Sequence, residues 1–281
     1  MMVWQCRDFA LPLDRARVMG ILNVTPDSFS DGGKPAKPDA FVKRGLRLVQ
    51  EGADVVDVGG ESSRPGAEAV SARDELKRVL PVVRGLVKAG VVVSVDTRKA
   101  EVAHAALDEG ARIVNDISAG EDPGMFDEVR RARAGMVLMR GGVRGWWSWK
   151  TDSKPKAFSS TFVRQSCYFF KQRLEAAMEA GVAREALVVD PGIGFTEDAE
   201  EDVALLRKIH EMAKLAPVLV GVSRKRFIGQ ITGEADPLQR LGGSLAAGLH
   251  AVADGARILR VHDVAATAQA LKIWDKLDKK A

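Results

Sequence analysis

Charged or amide side chains stand at or just after almost every short apolar run of this chain. Taken singly, each could simply cap the helix that follows, because Asp and Asn commonly fill that position. If the runs are parallel strands whose ends meet, the same side chains converge on one site. They are Asn23, Glu61, Ser63, Arg64, Asp96, Asn115, Asp116, Arg140, Asp190, Ser223, Arg224, Lys225, Arg260 and His262.

One group of these residues could bind an anion. Its hydrogen-bond donors are Arg64, Lys225, Arg260 and His262, and they lie near glycine-rich loops. Such side chains and loop N–H groups together favour a phosphate or diphosphate. Asn23 adds a neutral oxygen that could be a ligand of Mg²⁺ held mostly by substrate phosphates.

A second group could recognise a flat heterocycle. Asp96, Asn115 and Asp190 supply oxygen acceptors or amides, and a carboxylate accepts two parallel hydrogen bonds from an amidine-like edge. No Ser–His–Asp or Cys–His arrangement is evident in the sequence, which argues against a covalent acyl intermediate. The residues thus indicate an anion site beside a heterocycle site.

The elements that position these residues alternate between two patterns. Short apolar, β-branched runs are separated by longer stretches with helical periodicity, and there are eight of each. This predicts one domain over residues 1–281, a (β/α)8 TIM barrel whose active site lies at the C-terminal ends of the strands. An open doubly wound sheet is the alternative, although it usually has fewer strands and the first run lacks a GxGxxG turn. The predicted strands are 18–23, 54–59, 91–96, 112–117, 135–139, 186–190, 218–222 and 257–261.

The predicted helices follow the strands in order, and a short hairpin at residues 3–13 is predicted to plug the bottom of the barrel. Ser71 is a possible N-terminal cap, and glycines such as Gly52 follow several helices at the position of a C-terminal cap. The helices are 39–51, 72–88, 99–109, 123–133, 160–180, 199–215, 237–253 and 264–277.

Composition excludes several classes of protein. Of 281 residues, 46% are hydrophobic and 28% charged, which is typical of a globular domain and not of a disordered chain. Lys and Arg number 42 against 38 Asp and Glu, and the resulting charge of +4 is too weak to indicate nucleic-acid binding. The two cysteines, Cys6 and Cys167, lack metal-ligand spacing, and no apolar run is long enough for a membrane span. We therefore expect a cytoplasmic protein with no membrane or nucleic-acid partner.

At the strand ends the sequence resembles the dihydropteroate synthase family. The similarity extends from about residue 18 to residue 277 and keeps the family's order and spacing. It is carried by GILNVTPDSFSDGG, GADVVDVGGESSRPGA, VSVDTRKAEVAHAALDEGARIVNDIS, DPGIGF, PVLVGVSRKRFIG and RVHDV.

The resemblance implies that a 7,8-dihydropterin bearing a hydroxymethyl diphosphate condenses with p-aminobenzoate, yielding dihydropteroate and diphosphate. It further implies Mg²⁺ as cofactor, with Asn23 as its ligand, and a homodimer. Asp96, Lys225 and Arg64 are the implied catalytic residues. The implied pterin site comprises Asp96, Asn115, Asp190, Lys225, Phe195 and Met139, the diphosphate site Asn23, Arg64, Arg260 and His262, and the p-aminobenzoate site Ser63, Phe29 and Pro65.

The sequence departs from the family pattern after the fifth strand. Arg140 stands where His is usual, and the segment LMRGGVRGWWSWKT inserts Trp146, Trp147 and Trp149. The indoles could form a nucleic-acid stacking platform, but packing on the barrel rim or on a second subunit is the favoured interpretation. After DPGIGF, Thr196 replaces the usual Gly as well. These departures leave the inferred pterin and diphosphate residues intact.

Two rival functions stay open. A pterin-binding methyltransferase barrel would share the Asp and Asn residues at the strand ends. Such an enzyme needs no diphosphate-binding site, so the segments TPDSFSDGG, ESSRPG and SRK count against it. A non-catalytic paralogue would keep the fold and bind a pterin as a regulatory module. The altered segment at residues 140–156 is its only support.

Overall fold

The computed structural model describes residues 2–25, 37–62, 68–141, 160–196 and 198–278. Several residues with predicted roles lie outside the described residues, so those roles stay predictions. They are Phe29, Ser63, Arg64, Pro65 and the three indoles of the segment after the fifth strand, Trp146, Trp147 and Trp149.

Eight parallel strands form a barrel, and each overlaps a predicted strand. After an N-terminal hairpin of β1 (Val3–Cys6) and β2 (Phe9–Pro12), they are β3 (Arg17–Asn23), β4 (Val55–Gly59), β5 (Val93–Asp96), β6 (Ile113–Asp116), β7 (Gly135–Met139), β8 (Leu187–Asp190), β9 (Leu219–Val220) and β10 (Ile258–Val261). The strand order is β8-β7-β6-β5-β4-β3-β10-β9. A parallel bridge between Val189 and Val218 joins the two ends of this sheet. The predicted (β/α)8 barrel is therefore confirmed.

Helices cover the outside of the barrel largely as predicted. The described helices are α1 (Pro38–Glu51), α2 (Ala72–Lys88), α3 (Ala100–Asp108), α4 (Met125–Ala132), α5 (Ser160–Glu179), α6 (Ala199–Leu206), α7 (Ile209–Ala213), α8 (Arg226–Thr232), α9 (Leu241–Ala253) and α10 (Val264–Leu277). Ser71 accepts a hydrogen bond from the N–H of Asp74, and Gly52 ends α1 at φ 111°, so both predicted caps are confirmed. No helix in the described ranges is long and apolar enough to cross a bilayer.

Three helix predictions were wrong in detail. The predicted helix 199–215 is broken at Lys208, where φ is −136° and ψ is 27°. The apolar spacing runs through this break, so periodicity could not reveal it. The short helix α8 was not predicted because its seven residues are too few for a periodic pattern. A 3-10 turn at Pro237–Gln239 replaces the predicted first turn of α9.

Alternation along each strand explains how the polar residues reach the mouth of the barrel. An apolar layer fills the lower interior, formed by Met19, Val55, Ile113, Val137, Val188, Leu219 and Ile258. Side chains two residues apart point to the same face of a strand. The residue two positions after each layer member therefore also points inward, one layer nearer the C-terminal ends. This places Asp57, Asn115, Met139, Asp190 and Arg260 inside the mouth.

The N-terminal hairpin closes the opposite end of the barrel, as predicted. Trp4, Cys6, Leu11 and Leu13 are buried against the lower apolar layer. The indole N–H of Trp4 donates to the carbonyl of Ala186 at 2.8 Å, which fixes the hairpin to the start of β8. Because the bottom is filled by side chains, the chemistry is confined to the other end.

Candidate active site

A cluster of two carboxylates, a guanidinium and an amide lies within the barrel mouth, with Asp57 and Asn115 buried and Asp96 and Arg260 half-buried. Arg260 donates from Nε to Asp57 Oδ2 at 2.6 Å and from Nη2 to Asp96 Oδ2 at 2.5 Å. Asn115 donates from Nδ2 to the same Asp57 oxygen at 3.0 Å. The structure thus brings together three predicted residues, Asp96, Asn115 and Arg260, around a fourth that was not predicted, Asp57.

The guanidinium of Arg260, which was predicted as a donor for an anion, is bound to two carboxylates. A guanidinium carries five N–H groups, and Asp57 and Asp96 occupy two of them. Burial raises the pKa of Asp96; Arg260 opposes this shift, and the negative charge of Asp57 adds to it. Arg260 therefore compensates buried negative charge and keeps its other N–H groups for a ligand.

Asn115 has a defined orientation because of its neighbour. A carboxylate accepts hydrogen bonds and donates none, so the amide nitrogen of Asn115 has to face Asp57. Its Oδ1 is buried and has no hydrogen-bond partner among the residues that the structure describes. Leaving a buried acceptor unsatisfied costs about 1–3 kcal/mol. Asn115 thus presents an acceptor oxygen to a ligand that can donate.

Asp190 lies at the end of β8 and shapes the loop that follows. Its Oδ1 accepts from the N–H of Gly192 at 2.8 Å. Burial raises its pKa to about 6, against the opposing effects of the Gly192 hydrogen bond and the charge of Lys225. The N-terminal cap of α6 is Asp198, which accepts from the N–H of Glu200. Asp190 is therefore not the cap of the next helix.

The DPGIGF loop needs its glycines for two reasons. Gly192 and Gly194 have φ values of 75° and 84°, where only glycine is free of strain. A Cβ at Gly192 would lie 2.1 Å from the carbonyl oxygen of Arg140, and one at Gly194 would lie 2.5 Å from Cδ of Lys225. The loop can therefore approach both neighbours only without these side chains.

Lys225, Phe195 and Met139 line the same region. The Lys225 ammonium lies 4.1 Å from the ring centroid of Phe195, a cation–π distance. Burial lowers the pKa of Lys225 to about 8. Met139 ends β7 and is paired in register with Asp190. The structure accordingly brings together the predicted pterin residues around one cavity mouth.

His262 is neutral rather than cationic. Burial and the nearby charges of Arg260 and Arg224 lower its pKa to about 3. Its Nδ1 lies 3.2 Å from Oγ of Ser223, and its backbone N–H donates to the same hydroxyl. If that hydroxyl donates to Nδ1, the hydrogen of the imidazole sits on Nε2. His262 can then serve an anion as a neutral hydrogen-bond donor.

Arg224 holds the SRK segment in place. Its backbone has φ 61°, an uncommon conformation for a residue with a side chain. Its guanidinium donates twice to the carboxylate of Asp263, at 2.6 and 3.0 Å, and its N–H donates to Ser244. These contacts fix the backbone between Ser223 and Lys225.

Asn23 ends β3 on the same inward-facing series as Met19 and is half-buried. In the described part of the chain, no group of three His, Cys, Asp or Glu side chains could hold a metal ion. A single neutral oxygen ligand from the protein suits Mg²⁺, because this ion keeps several waters and is bound largely through substrate phosphates. The residues present therefore fit a Mg²⁺ that arrives with a diphosphate.

The loop after β4 is tied down on both sides by ion pairs. Glu61 accepts from the N–H of Val70 at 3.2 Å and from Lys99 Nζ at 2.5 Å. Lys99 also donates to Glu75, which is buried in α2. This cluster thus joins Glu61, just after β4, to Val70 and to the starts of α2 and α3.

Arg140, which replaces the usual His, contacts α5. Its Nη1 donates to Ser166 Oγ at 2.6 Å, and its guanidinium carbon lies 4.4 Å from the ring centroid of Phe162. Burial lowers its pKa to about 10. Arg140 therefore links the end of β7 to the helix that follows the unusual segment.

Sequence reasoning missed Asp57, the residue that contacts both Arg260 and Asn115. The available signal was a charged side chain in the middle of VVDVG, an otherwise apolar strand. A parallel strand covered on both faces is normally a continuous apolar run, so an Asp within it needs a buried partner. That partner, Arg260, lies 203 residues away in sequence.

The chain is similar to known pterin-binding enzymes. The chain matches the family of pterin-binding enzymes over residues 19–262. A dihydropteroate synthase of Synechocystis is 41% identical over 271 residues, covering 94% of this chain and 90% of the relative. One from Neisseria meningitidis serogroup B is 40% identical and covers 98% of this chain and 97% of the relative.

A solved structure gives the same result in three dimensions. Dihydropteroate synthase of Xanthomonas albilineans in complex with 7,8-dihydropteroate superimposes with a TM-score of 0.87 at 43% identity, covering 99% of this chain and 100% of that one. The same protein with 4-aminobenzoic acid gives a TM-score of 0.90 at 44% identity, with 99% of each chain covered. This chain belongs to the dihydropteroate synthase family of pterin-binding enzymes.

Proposed function

We propose that this protein condenses 6-hydroxymethyl-7,8-dihydropterin diphosphate with p-aminobenzoate, releasing 7,8-dihydropteroate and diphosphate. The observation that carries the proposal is a group of acceptors, the half-buried Asp96 and the buried Asn115 Oδ1 and Asp190, beside the cationic Lys225 and Arg260. Acceptors next to cations match a ligand with a donor-rich heterocyclic edge and an anionic tail. The homodimer, the single-domain organisation and the cytoplasmic location stay predictions.

The heterocycle is recognised by its hydrogen-bond donors. A pterin presents a 2-amino group beside a ring N–H, and an ionised Asp190 accepts both. Asn115 Oδ1 and Asp96 accept from other donors of the ring. Lys225 and Phe195 border the same cavity, and Met139 supplies an apolar contact.

The diphosphate is held by donors from several strand ends. Arg260 contributes N–H groups not bound to carboxylates, His262 a neutral N–H, and Arg64 a cation from the loop after β4. Asn23 would be the protein ligand of Mg²⁺, which when bound neutralises charge on the leaving group. Phe29, Pro65 and Ser63 would border p-aminobenzoate, as the family resemblance implies.

The reaction breaks the bond between the methylene carbon and the diphosphate oxygen, and the oxygen keeps the electron pair. The methylene carbon is then cationic and conjugated to the pterin, and the carboxylate of Asp96 stabilises this developing charge. The arylamine nitrogen forms the new C–N bond and releases a proton to solvent. Exclusion of water from the site protects the cation from hydrolysis.

Diphosphate release in the presence of both substrates tests the proposal. The purified protein is expected to form dihydropteroate and diphosphate in equal amounts, and to complement a strain that lacks the synthase. Methyl transfer from a methylated pterin without diphosphate release would instead identify a methyltransferase barrel. Binding of pterin with neither activity would identify a non-catalytic paralogue.

Removal of Mg²⁺ is expected to suppress turnover by about tenfold or more, because a bound metal ion supplies several kcal/mol of charge stabilisation. Steady-state rates in excess chelator, followed by back-titration with Mg²⁺, measure this effect. Asn23→Ala should raise the Mg²⁺ concentration needed for half-maximal rate. Rates that are unchanged in excess chelator would refute the metal role of Asn23.

Pterin affinity is expected to weaken as the pH falls from 8 to 5. The pKa of Asp190 is about 6, so about one carboxyl in ten is ionised at pH 5, and its contribution alone lowers affinity about tenfold. A donor edge binds the ionised form, so affinity is lost on the acid side of this pKa. Asp96, whose pKa is also raised, acts in the same direction.

Calorimetry with 6-hydroxymethyl-7,8-dihydropterin measures how pterin affinity depends on pH. Because this ligand has no phosphate groups, their titration does not contribute. Asp190→Asn should remove its share of the pH dependence. An affinity that stays level or rises towards pH 5 would mean that the protonated acids bind the ring.

A further inference from the structure

We propose that Asp57 is a positioning residue of this active site, which fixes Arg260 in place and orients the amide of Asn115 so that its oxygen faces the pterin. The proposal rests on the proposed pterin-binding function. It concerns a side chain of β4 whose hydrogen bonds reach β10 and β6.

The burial of Asp57 requires an explanation. Its side chain has no solvent exposure, in the middle of an apolar strand. An ionised group at such a place is costly, and replacing a buried ion pair by apolar residues is often neutral or stabilising. Stability of the barrel alone therefore does not account for an Asp here.

The contacts of Asp57 lead to groups assigned to the ligands. Its Oδ2 accepts from Arg260 Nε at 2.6 Å and from Asn115 Nδ2 at 3.0 Å. Asp57 Oδ2 thus positions both Arg260, a proposed donor for the anion, and Asn115, whose amide is proposed to bind the pterin ring. Its other oxygen, Oδ1, has no hydrogen-bond partner among the described residues.

The orientation of the Asn115 amide follows from its hydrogen bond to Asp57. An amide can present either its oxygen or its nitrogen, and the two orientations have nearly the same shape. Beside a carboxylate only the nitrogen can face inward, so the oxygen faces the pocket. A pterin N–H then meets an acceptor, whereas a flipped amide would direct a donor at a donor.

Asp57 also affects the carboxylate above it. Asp96 shares the Arg260 guanidinium with Asp57. The charged groups that act on Asp96 include Arg260 from β10, Asp57 from β4, Glu75 from α2, Asp116 from β6 and Lys225 at the start of α8. The charge of Asp57 raises the pKa of Asp96. Neutralising Asp57 should therefore leave Asp96 ionised to lower pH.

Asp57→Asn tests the proposal with a nearly isosteric change. We expect affinity for 6-hydroxymethyl-7,8-dihydropterin to fall about tenfold or more, with little change in the KM for p-aminobenzoate. The acid limb of the pterin-affinity profile should move to lower pH, an effect that a purely structural role would not produce. Ser94→Ala is the matched control, because Ser94 pairs in register with Asp57, is equally buried, and its hydroxyl has no hydrogen-bond partner in the described residues.

A swapped pair keeps the test decisive even if Asp57→Asn alone folds poorly. Asp57→Asn combined with Asn115→Asp retains the number of buried charges and an amide–carboxylate contact, and it still presents an acceptor oxygen to the pocket. The double variant should bind pterin more tightly than Asp57→Asn and within about tenfold of the unaltered protein.

Two outcomes would overturn the proposal. One is a folded Asp57→Asn protein with the affinity and pH profile of the Ser94→Ala control. The other is a folded swapped pair that binds no better than Asp57→Asn, or more than about a hundredfold weaker than the unaltered protein. Failure of the unaltered protein to bind pterin would refute the proposed function instead, so the two failures are distinguishable.

Discussion

Asp190→Asn is expected to lower kcat/KM for the dihydropterin diphosphate by about 30- to 1000-fold, or roughly 2–4 kcal/mol, while the fold survives. The Asn oxygen can still accept from the N–H of Gly192, which Asp190 does at 2.8 Å. The amide nitrogen then takes the place of the second carboxylate oxygen. One acceptor is lost, and a donor faces a donor of the pterin edge.

Asp202→Asn is a matched control for this experiment. Asp202 is also buried, and its Oδ1 accepts from the N–H of Gly194 at 2.7 Å, in the same DPGIGF loop. It is not among the residues assigned to the ligands, so pterin affinity should stay within about threefold. Calorimetry with pterin, with thermal melting as the folding control, compares the two variants. Normal pterin binding by a folded Asp190→Asn protein would show that Asp190 only shapes the loop.

Arg260→Met is expected to reduce the free energy of unfolding by about 3–5 kcal/mol at neutral pH, and to weaken binding of the diphosphate substrate as well. The guanidinium lies between Asp57 and Asp96, and its loss leaves the buried Asp57 and the half-buried Asp96 without their hydrogen-bonded cation. Arg84→Met is the control. It removes the same charge from an exposed pair with Glu109, where screening by solvent leaves little stability to lose.

The decrease in the free energy of unfolding caused by Arg260→Met should depend on pH. Arg260 lowers the pKa of Asp96, so its removal raises that pKa further above the value in the unfolded chain. A group with a raised pKa in the folded state binds protons more tightly when folded, and its contribution to stability worsens as pH rises. Arg260→Met should therefore be less destabilised at pH 5 than at pH 8. Denaturant unfolding at both values measures this, and an equal loss at both would contradict the arrangement of charges.

The sequence by itself determined the barrel and the location of its site. Eight apolar runs alternating with helical stretches are a local pattern, and all eight strands lie where this pattern predicts them. Because side chains alternate along a strand and parallel strands end on one side, Asp96, Asn115 and Asp190 could be placed at one mouth. Gly52 ends α1 at a positive φ, as its place directly after the helical pattern predicts.

The tertiary structure alone decided the charge states and the partners. Arg260 and His262 were both read as donors for an anion, yet Arg260 is bound to two carboxylates and His262 is held neutral by burial and by its cationic neighbours. No local sequence pattern identified Asp57 as a site residue, because its partners lie 58 and 203 residues away in sequence. A pKa or an ion pair depends on burial and on distances across the barrel, and local periodicity contains neither.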